Sequence, residues 1–215
     1  MKAKAVMHPS PTSRGKRRPG TDHEIVEPVD RRQRIIIEAA SLFASKGFEA
    51  TSIRDIASAS GILSGSLYHH FASKEEIFVG VHAAGMEVLV NAVKAAIEGI
   101  DDPWDRLAAA AAGHCTALLE KGEYMVMVVP KFPVSIGMHR DELVRQRDNY
   151  EQLVAGLISA LGLPDNIDPH IFRLHFLGAL NWTQAWYRPG SGLLPSDIGR
   201  QLVRMLRPWH RTDTD

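Results

Sequence analysis

The sequence predicts an all-α protein: an N-terminal three-helix unit of the helix-turn-helix kind, followed by a C-terminal helical bundle. Three observations carry this expectation. From Asp30 onward, apolar residues recur at three- and four-residue spacing, and no stretch reads convincingly as a strand. Serine, threonine or aspartate stands ahead of these periodic runs, and glycine or proline behind them. One stretch, Thr51 to Lys74 (TSIRDIASASGILSGSLYHHFASK), reads as helix, glycine turn and short polar helix.

Residues 1–29 read as a disordered tail. Pro9, Pro11, Gly15, Pro19, Gly20 and Pro28 interrupt any period, and apolar residues are few. The tail is basic at Arg14–Arg18 and has no apolar segment of the secretory kind. Two readings stay open: a solvated tail, or an arm that adds phosphate or minor-groove contacts.

The first helix starts at Asp30. Ile35, Ile36, Ala39, Ala40, Leu42 and Phe43 form its apolar stripe, and Lys46-Gly47 ends it. Arg31, Arg32 and Arg34 at its start suit either phosphate contacts or solvent. Thr51 and Ser52 cap the second helix, in which Ile53, Ile56 and Ala57 face inward, and Gly61 breaks it. A short helix over Ser64–His69 turns Leu67, and Phe71 beyond it, toward the core. Ser73 caps the next helix, with Glu76 completing a capping box, and the helical pattern runs to about Ile100. This long helix is the expected mechanical link between the two halves.

Asp101, Asp102 and Pro103 open a helix reaching Lys121. Tyr124–Val129 is a short apolar segment closed by Pro130 and Pro133. A long helix is expected over Ile136–Leu161, charged on one side and apolar on the other. Asp168-Pro169 opens a helix ending at Tyr187-Arg188-Pro189-Gly190, and Pro195–Arg207 is the last. The expected division is a tail over 1–29, a helix-turn-helix domain over 30–78 and a helical domain over 79–215. No internal repeat and no span long enough for a membrane is expected.

The polar short helix suits a DNA reader. A helix in the major groove needs groups that donate and accept without bulk that blocks approach. Ser64, Ser66 and His69 offer such groups, and Gly65 allows the closest approach. Tyr68 can donate its hydroxyl to a phosphate, and Arg54 and Lys74 can pair with phosphates on either side. With Ser52 these residues form the candidate DNA-contact set. An exposed polar helical hairpin is the alternative from spacing alone. Charge distribution favours DNA. The formal net charge is zero, yet residues 1–74 hold 12 Lys+Arg against 7 Asp+Glu, net +5, and the remainder 13 against 18, net −5.

Bundle cores hold ligands between facing helices. Trp104, Tyr124, Met127, Asn181, Gln184 and Trp186 are the chosen ligand candidates, with His114, Cys115, Met125, Phe132 and Phe176 also considered. For each, ordinary core packing is the competing reading. Catalysis finds little support. His114 and Cys115 are helix neighbours and point about 100° apart. No histidine pair stands at i, i+4 with a third ligand nearby, and no glycine-rich phosphate loop is present. No cofactor and no metal is expected. The one cysteine suits a reducing cytoplasm. A helical adaptor without DNA binding is the other rival.

GILSGSLYHHFASKEEIF resembles the signature of the tetracycline-repressor (TetR) family of bacterial regulators. Gly61, Gly65, Ser66, Leu67, Tyr68, Phe71, Ser73, Lys74, Glu75 and Glu76 carry it, and the likeness extends over Arg31–Phe78. Members often hold lysine where this chain has Ser64, so a contact expected there is weaker. The resemblance implies a cytoplasmic repressor acting on a palindromic double-stranded operator as a homodimer. The helices near 169–187 and 195–207 would form the dimer pair; packing of both inside one monomer is the other reading. The run LNWTQAWYRPGSGLLPSDIG, through Trp182, Trp186, Tyr187, Arg188, Pro189 and Gly190, resembles members that sense acyl-coenzyme A thioesters in lipid and steroid breakdown. That resemblance implies a hydrophobic or acyl-coenzyme A effector, with Arg140, Arg147 or Arg173 at the phosphates. Such an effector would act by moving the helix over 73–100.

Overall fold

The computed structural model describes residues 30–120, 124–125 and 132–207, which form eight α-helices and one 3₁₀ turn. In chain order these are α1 (Arg31–Lys46), α2 (Ile53–Ala59), α3 (Ser64–Leu67), α4 (Lys74–Ile97) and α5 (Pro103–Glu120). The 3₁₀ turn Val134–His139 follows, then α6 (Arg140–Ser159), α7 (Pro169–Trp186) and α8 (Pro195–Leu206). The basic tail and Met127 lie outside the described residues, as does most of the apolar segment 124–129.

Local chemistry sets most boundaries. Gly47 ends α1 at φ 84°, where a side chain would be strained. Ser52 accepts from the Asp55 amide while Asp55 accepts from the Ser52 amide, a complete capping box on α2. Ser73 Oγ accepts from Glu76 N at 3.1 Å, and Glu76 Oε2 accepts from Ala72 N at 2.6 Å, which starts α4. Asp168 accepts from the His170 and Ile171 amides, with Pro169 in the first turn of α7. These bonds hold the Asp55 and Asp168 carboxyls below the usual range.

Two boundaries differ from expectation. The helix expected over Ile136–Leu161 starts only at Arg140, because Gly137 takes φ 53°, ψ −121° and separates the 3₁₀ turn from α6. α4 ends at Ile97, and the chain reverses at Gly99 with φ 71°.

The apolar faces meet in two cores. The first gathers Ile35, Ile36, Ala39, Ala40 and Phe43 of α1 with Phe48, Ile56, Leu67, Phe71, Ile77, Phe78 and Val81. Phe43, Phe48 and Phe78 meet tilted or edge-on, with centroids 5.1–5.9 Å apart. Burying each such ring stabilises by about 2–3 kcal/mol. Two residues from far along the chain complete this core: Ile136 of the 3₁₀ turn and Leu143 of α6. The second core joins Met86, Leu89 and Val93 of α4 to α5, α6, α7 and Val203 of α8. α4 therefore serves both cores, and the change-over falls between Val81 and Met86.

Small residues set the packing of α5. A Cβ on Gly199 of α8 would stand 2.2 Å from the Ala111 carbonyl oxygen, and one on Gly113 would stand 2.8 Å from that of Ala92. The alanine run of α5 thus lets two helices approach backbone to backbone. At 24 residues α4 is long and apolar enough to span a bilayer by length and composition, contrary to expectation. Its apolar side is already used: Ile77, Phe78, Val81, Met86, Leu89 and Val93 are buried against protein.

Candidate nucleic-acid interface and effector cavity

α2 and α3 meet across the turn at Gly61, which adopts φ 69°. α3 has four residues, shorter than the expected Ser64–His69. The chain stays coiled beyond it through tighter bonds, His69 N to Ser66 O at 3.2 Å and His70 N to Leu67 O at 2.9 Å. Leu67 and Phe71 are buried and anchor this hairpin from beneath. Gly65, Tyr68 and His69 face solvent, and Ser64 and Ser66 are half-buried. Tyr68 is 56% exposed, high for an aromatic residue. Arg54 is exposed and makes no ion pair among the described residues. Arg54 and the residues of Ser64–His69 other than Leu67 make up the accessible face around α3, and their side chains are polar wherever there is one.

Two expected members of that set do other work. Lys74 Nζ donates to Phe48 O at 2.9 Å and Thr51 O at 3.0 Å, and lies 4.2 Å from the Phe48 ring centroid. The half-buried ammonium ties the α1–α2 loop to the start of α4, a structural tie that competes with the phosphate contact expected of it. The Ser52 hydroxyl is likewise engaged in the capping box, bonding the Asp55 amide and carboxylate. Arg32 stacks over Phe71, 4.5 Å from its centroid, and keeps the hairpin edge cationic.

A second site lies between α4, α6 and α7. A cavity of about 200 Å³ is lined by His82, Met86 and Leu89 from α4, Phe132, Arg147, Tyr150 and Glu151 around α6, and Leu174, Leu177, Gly178 and Asn181 from α7. Polar groups punctuate its wall. His82 Nδ1 lies 2.6 Å from Gln146 Oε1, and its ring meets Phe132 edge-on at 5.5 Å. The Tyr150 hydroxyl lies 2.7 Å from His114 Nδ1. Asn181 Oδ1 is buried without a well-aligned partner. At one side Glu151 is shared by Arg147 at 3.3 Å and Arg173 at 3.5 Å.

Burial governs the titration of these groups. It pushes His114 down to about 4, with neighbouring Asn181 partly opposing the shift. His82 is lowered by burial first, Gln146 opposing and the Arg147 charge adding to it. Both imidazoles are therefore neutral at pH 7 and act as hydrogen-bonding groups. Burial raises the Tyr150 hydroxyl and holds it protonated. The Cys115 thiol is pushed up to about 12, far from a reactive thiolate.

The expected ligand set is only partly brought together. Asn181 lines the cavity. Gln184 instead donates to Met125 O at 3.3 Å, and half-buried Tyr124 packs against the first core. Trp104 lies in a separate cleft between α4, α5 and α8. Trp186 lies on an outer groove of about 600 Å³ between α7 and α8. These four do not converge because Trp104, Gln184 and Trp186 lie on helix faces that diverge around the bundle and Tyr124 lies in the segment after α5. His82, Tyr150 and Glu151 were not singled out for binding; in sequence His82 and Tyr150 sit at positions that also read as core.

The outer side of α7 and α8 is apolar over a wide area. Ile171, Trp182, Trp186, Leu193, Leu194 and Met205 are each 44–65% exposed, except Trp182 at 69%. Ile198 and Leu202 are half-buried beneath them, as part of the second core's margin.

Residues 35–81 match bacterial regulatory proteins of the tetR family. Residues 100–208 match the tetracyclin repressor-like C-terminal domain. The transcriptional repressor KstR2 of Rhodococcus jostii is 30% identical over 200 residues, covering 82% of this chain and 89% of that protein. KstR2 of Mycolicibacterium smegmatis is 27% identical over 187 residues, covering 84% and 90%. The solved ketosteroid transcriptional regulator KstR2 of Mycobacterium tuberculosis has a TM-score of 0.66 at 25% identity, covering 82% of this chain and 92% of that one.

Proposed function

Because this chain belongs to the tetracycline-repressor family of bacterial regulatory proteins, we propose that it is a cytoplasmic repressor released from its operator by a hydrophobic acyl-coenzyme A thioester. The observation that carries the reading is the position of α4. Its first turns sit in the core beneath the polar hairpin, and its middle forms one wall of the cavity. A ligand pressing on His82 and Met86 thereby acts on the element that carries α3.

Size gives this a direction. At about 200 Å³ the cavity is smaller than the ~300–1,000 Å³ usual for drug-sized ligands. A steroid-sized group enters only if α4 parts from α6 and α7. The apolar walls Met86, Leu89, Phe132 and Leu177 suit its rings, and Asn181 and Tyr150 suit a carbonyl. A thioester's anionic carrier competes with Glu151 for Arg147 and Arg173. KstR2 being a ketosteroid regulator supports the ring-bearing class.

The homodimer forms through the exposed apolar faces of α7 and α8, so that two α3 hairpins meet successive major grooves. Ligand binding moves their separation. A coupling of about 1–3 kcal/mol lowers operator affinity roughly 5- to 150-fold.

The test is a gel shift on a duplex selected from a random pool, with a steroid-derived acyl-coenzyme A, a short-chain one and coenzyme A alone. The ring-bearing thioester should release the duplex, and coenzyme A should not. Asn181→Leu should blunt release tenfold or more while leaving operator affinity unchanged. Equal release of wild type and Asn181→Leu would remove the cavity from the account.

A further inference from the structure

One apolar side chain on the reading surface has no structural employment. Leu63 directly precedes α3 and is 80% exposed, whereas its neighbour Ile62 is half-buried against the first core. It occupies the N-cap position of α3, where serine, threonine, aspartate or asparagine is favoured, and it makes no side-chain cap hydrogen bond. Its backbone is nevertheless held firmly. Leu63 O accepts from Ser66 N at 2.9 Å and from Leu67 N at 3.2 Å. The residue thus stands at the leading tip of α3, fixed in place, apolar and open to solvent, where a polar residue would serve the helix better.

The N-terminal residues of a recognition helix are the ones that reach base edges in the major groove. Only one base-pair edge presents an apolar group there, the C5 methyl of thymine. We propose that Leu63 is a specificity-determining residue that reads a thymine methyl in each operator half-site. The flanking residues leave this task to it. Ser64, Ser66, Tyr68 and His69 are hydrogen-bonding groups, and Gly65 has no side chain. The inference rests on the DNA-binding reading above and adds a base identity to it.

Uracil in place of thymine tests this directly, since it deletes the methyl and keeps the base pair. The full-length chain first selects duplexes from a random pool. Each thymine of the selected half-site is then replaced in turn by uracil, and affinity is measured by fluorescence anisotropy. One symmetric position should lose about fourfold per half-site, the worth of one buried methyl. Leu63→Ser should bind the thymine and uracil duplexes equally, and Leu63→Met should keep the preference. Thermal unfolding separates function from folding: Leu63→Ser supplies the missing cap and should melt no lower than wild type. Should no thymine be sensitive to methyl removal, or should Leu63→Ser keep the sensitivity, the assignment to Leu63 is wrong while DNA binding stands. If the chain selects no duplex at all, the reading on which this rests has failed first.

Discussion

The reading surface comes from one unbroken stretch between Arg54 and His69, whereas the cavity draws His82 from α4, Tyr150 and Glu151 from α6 and Asn181 from α7. Caps and turns specify the first almost residue by residue: Ser52 with Asp55, Gly61, Ser73 with Glu76. Only the packing of distant helices creates the second. A local device tolerates change in its surroundings, and an assembled one inherits every shift of its walls. That difference fits the proposed ligand switch, in which the packed walls of the cavity would move and the locally capped hairpin would keep its shape.

The largest expected way to break this contrast is Gly199→Leu. Its side chain would collide with the Ala111 carbonyl and part α8 from α5, costing about 3 kcal/mol or more. Thermal unfolding should show the loss. A wild-type melting temperature would mean the two backbones are not in close contact.

A similar effect should follow pH, through the assembled half. With His114 lowered from 6.5 to about 4, its neutral form is favoured by folding. That contribution is full above pH 6.5 and is lost as pH falls toward 4, about 3 kcal/mol in all. Urea midpoints at pH 7 and pH 4.5 should diverge more in wild type than in His114→Gln. Equal divergence in both proteins would assign the acid sensitivity elsewhere.

Lys74→Ala sharpens the comparison within the reader. Two hydrogen bonds from a charged group are lost, so stability should fall by about 2 kcal/mol. Operator affinity of the folded protein in the cold should change little. A large loss of affinity with unchanged stability would favour the phosphate contact over the tie. The smallest effect belongs to Tyr68→Phe, which removes a solvent-facing hydroxyl. Operator affinity should drop about fivefold, roughly 1 kcal/mol, with melting and effector response unaltered.

The same contrast decided what could be read in the sequence. The reader was legible because its determinants are consecutive: a cap, a glycine and two inward apolar residues locate a hairpin without any knowledge of the rest. Helix starts at Asp168-Pro169 and Ser73 were legible for the same reason. The break at Gly137 was not, because glycine inside an otherwise helical pattern is tolerated unless its conformation is known. The cavity was least legible. His82 and Tyr150 sit at helix positions that a core also occupies, and only their partners Gln146 and His114, far away in sequence, reveal a polar wall. Trp104 and Trp186 stand out in the sequence as aromatics, yet residue type alone says nothing about which face of the bundle they occupy. Lys74 was assigned by charge, and its two carbonyl partners could be found only in three dimensions.

Ile136 and Leu143 have a consequence for how such proteins diversify. They plug a core otherwise drawn from residues 35–81, so the amino-terminal third is not a detachable part. Transplanting it onto a foreign sensor would leave an aliphatic hole unless the new host brought its own stopper of matching shape. Exchange of specificities by recombination is thereby restricted to hosts whose middle segment already fits.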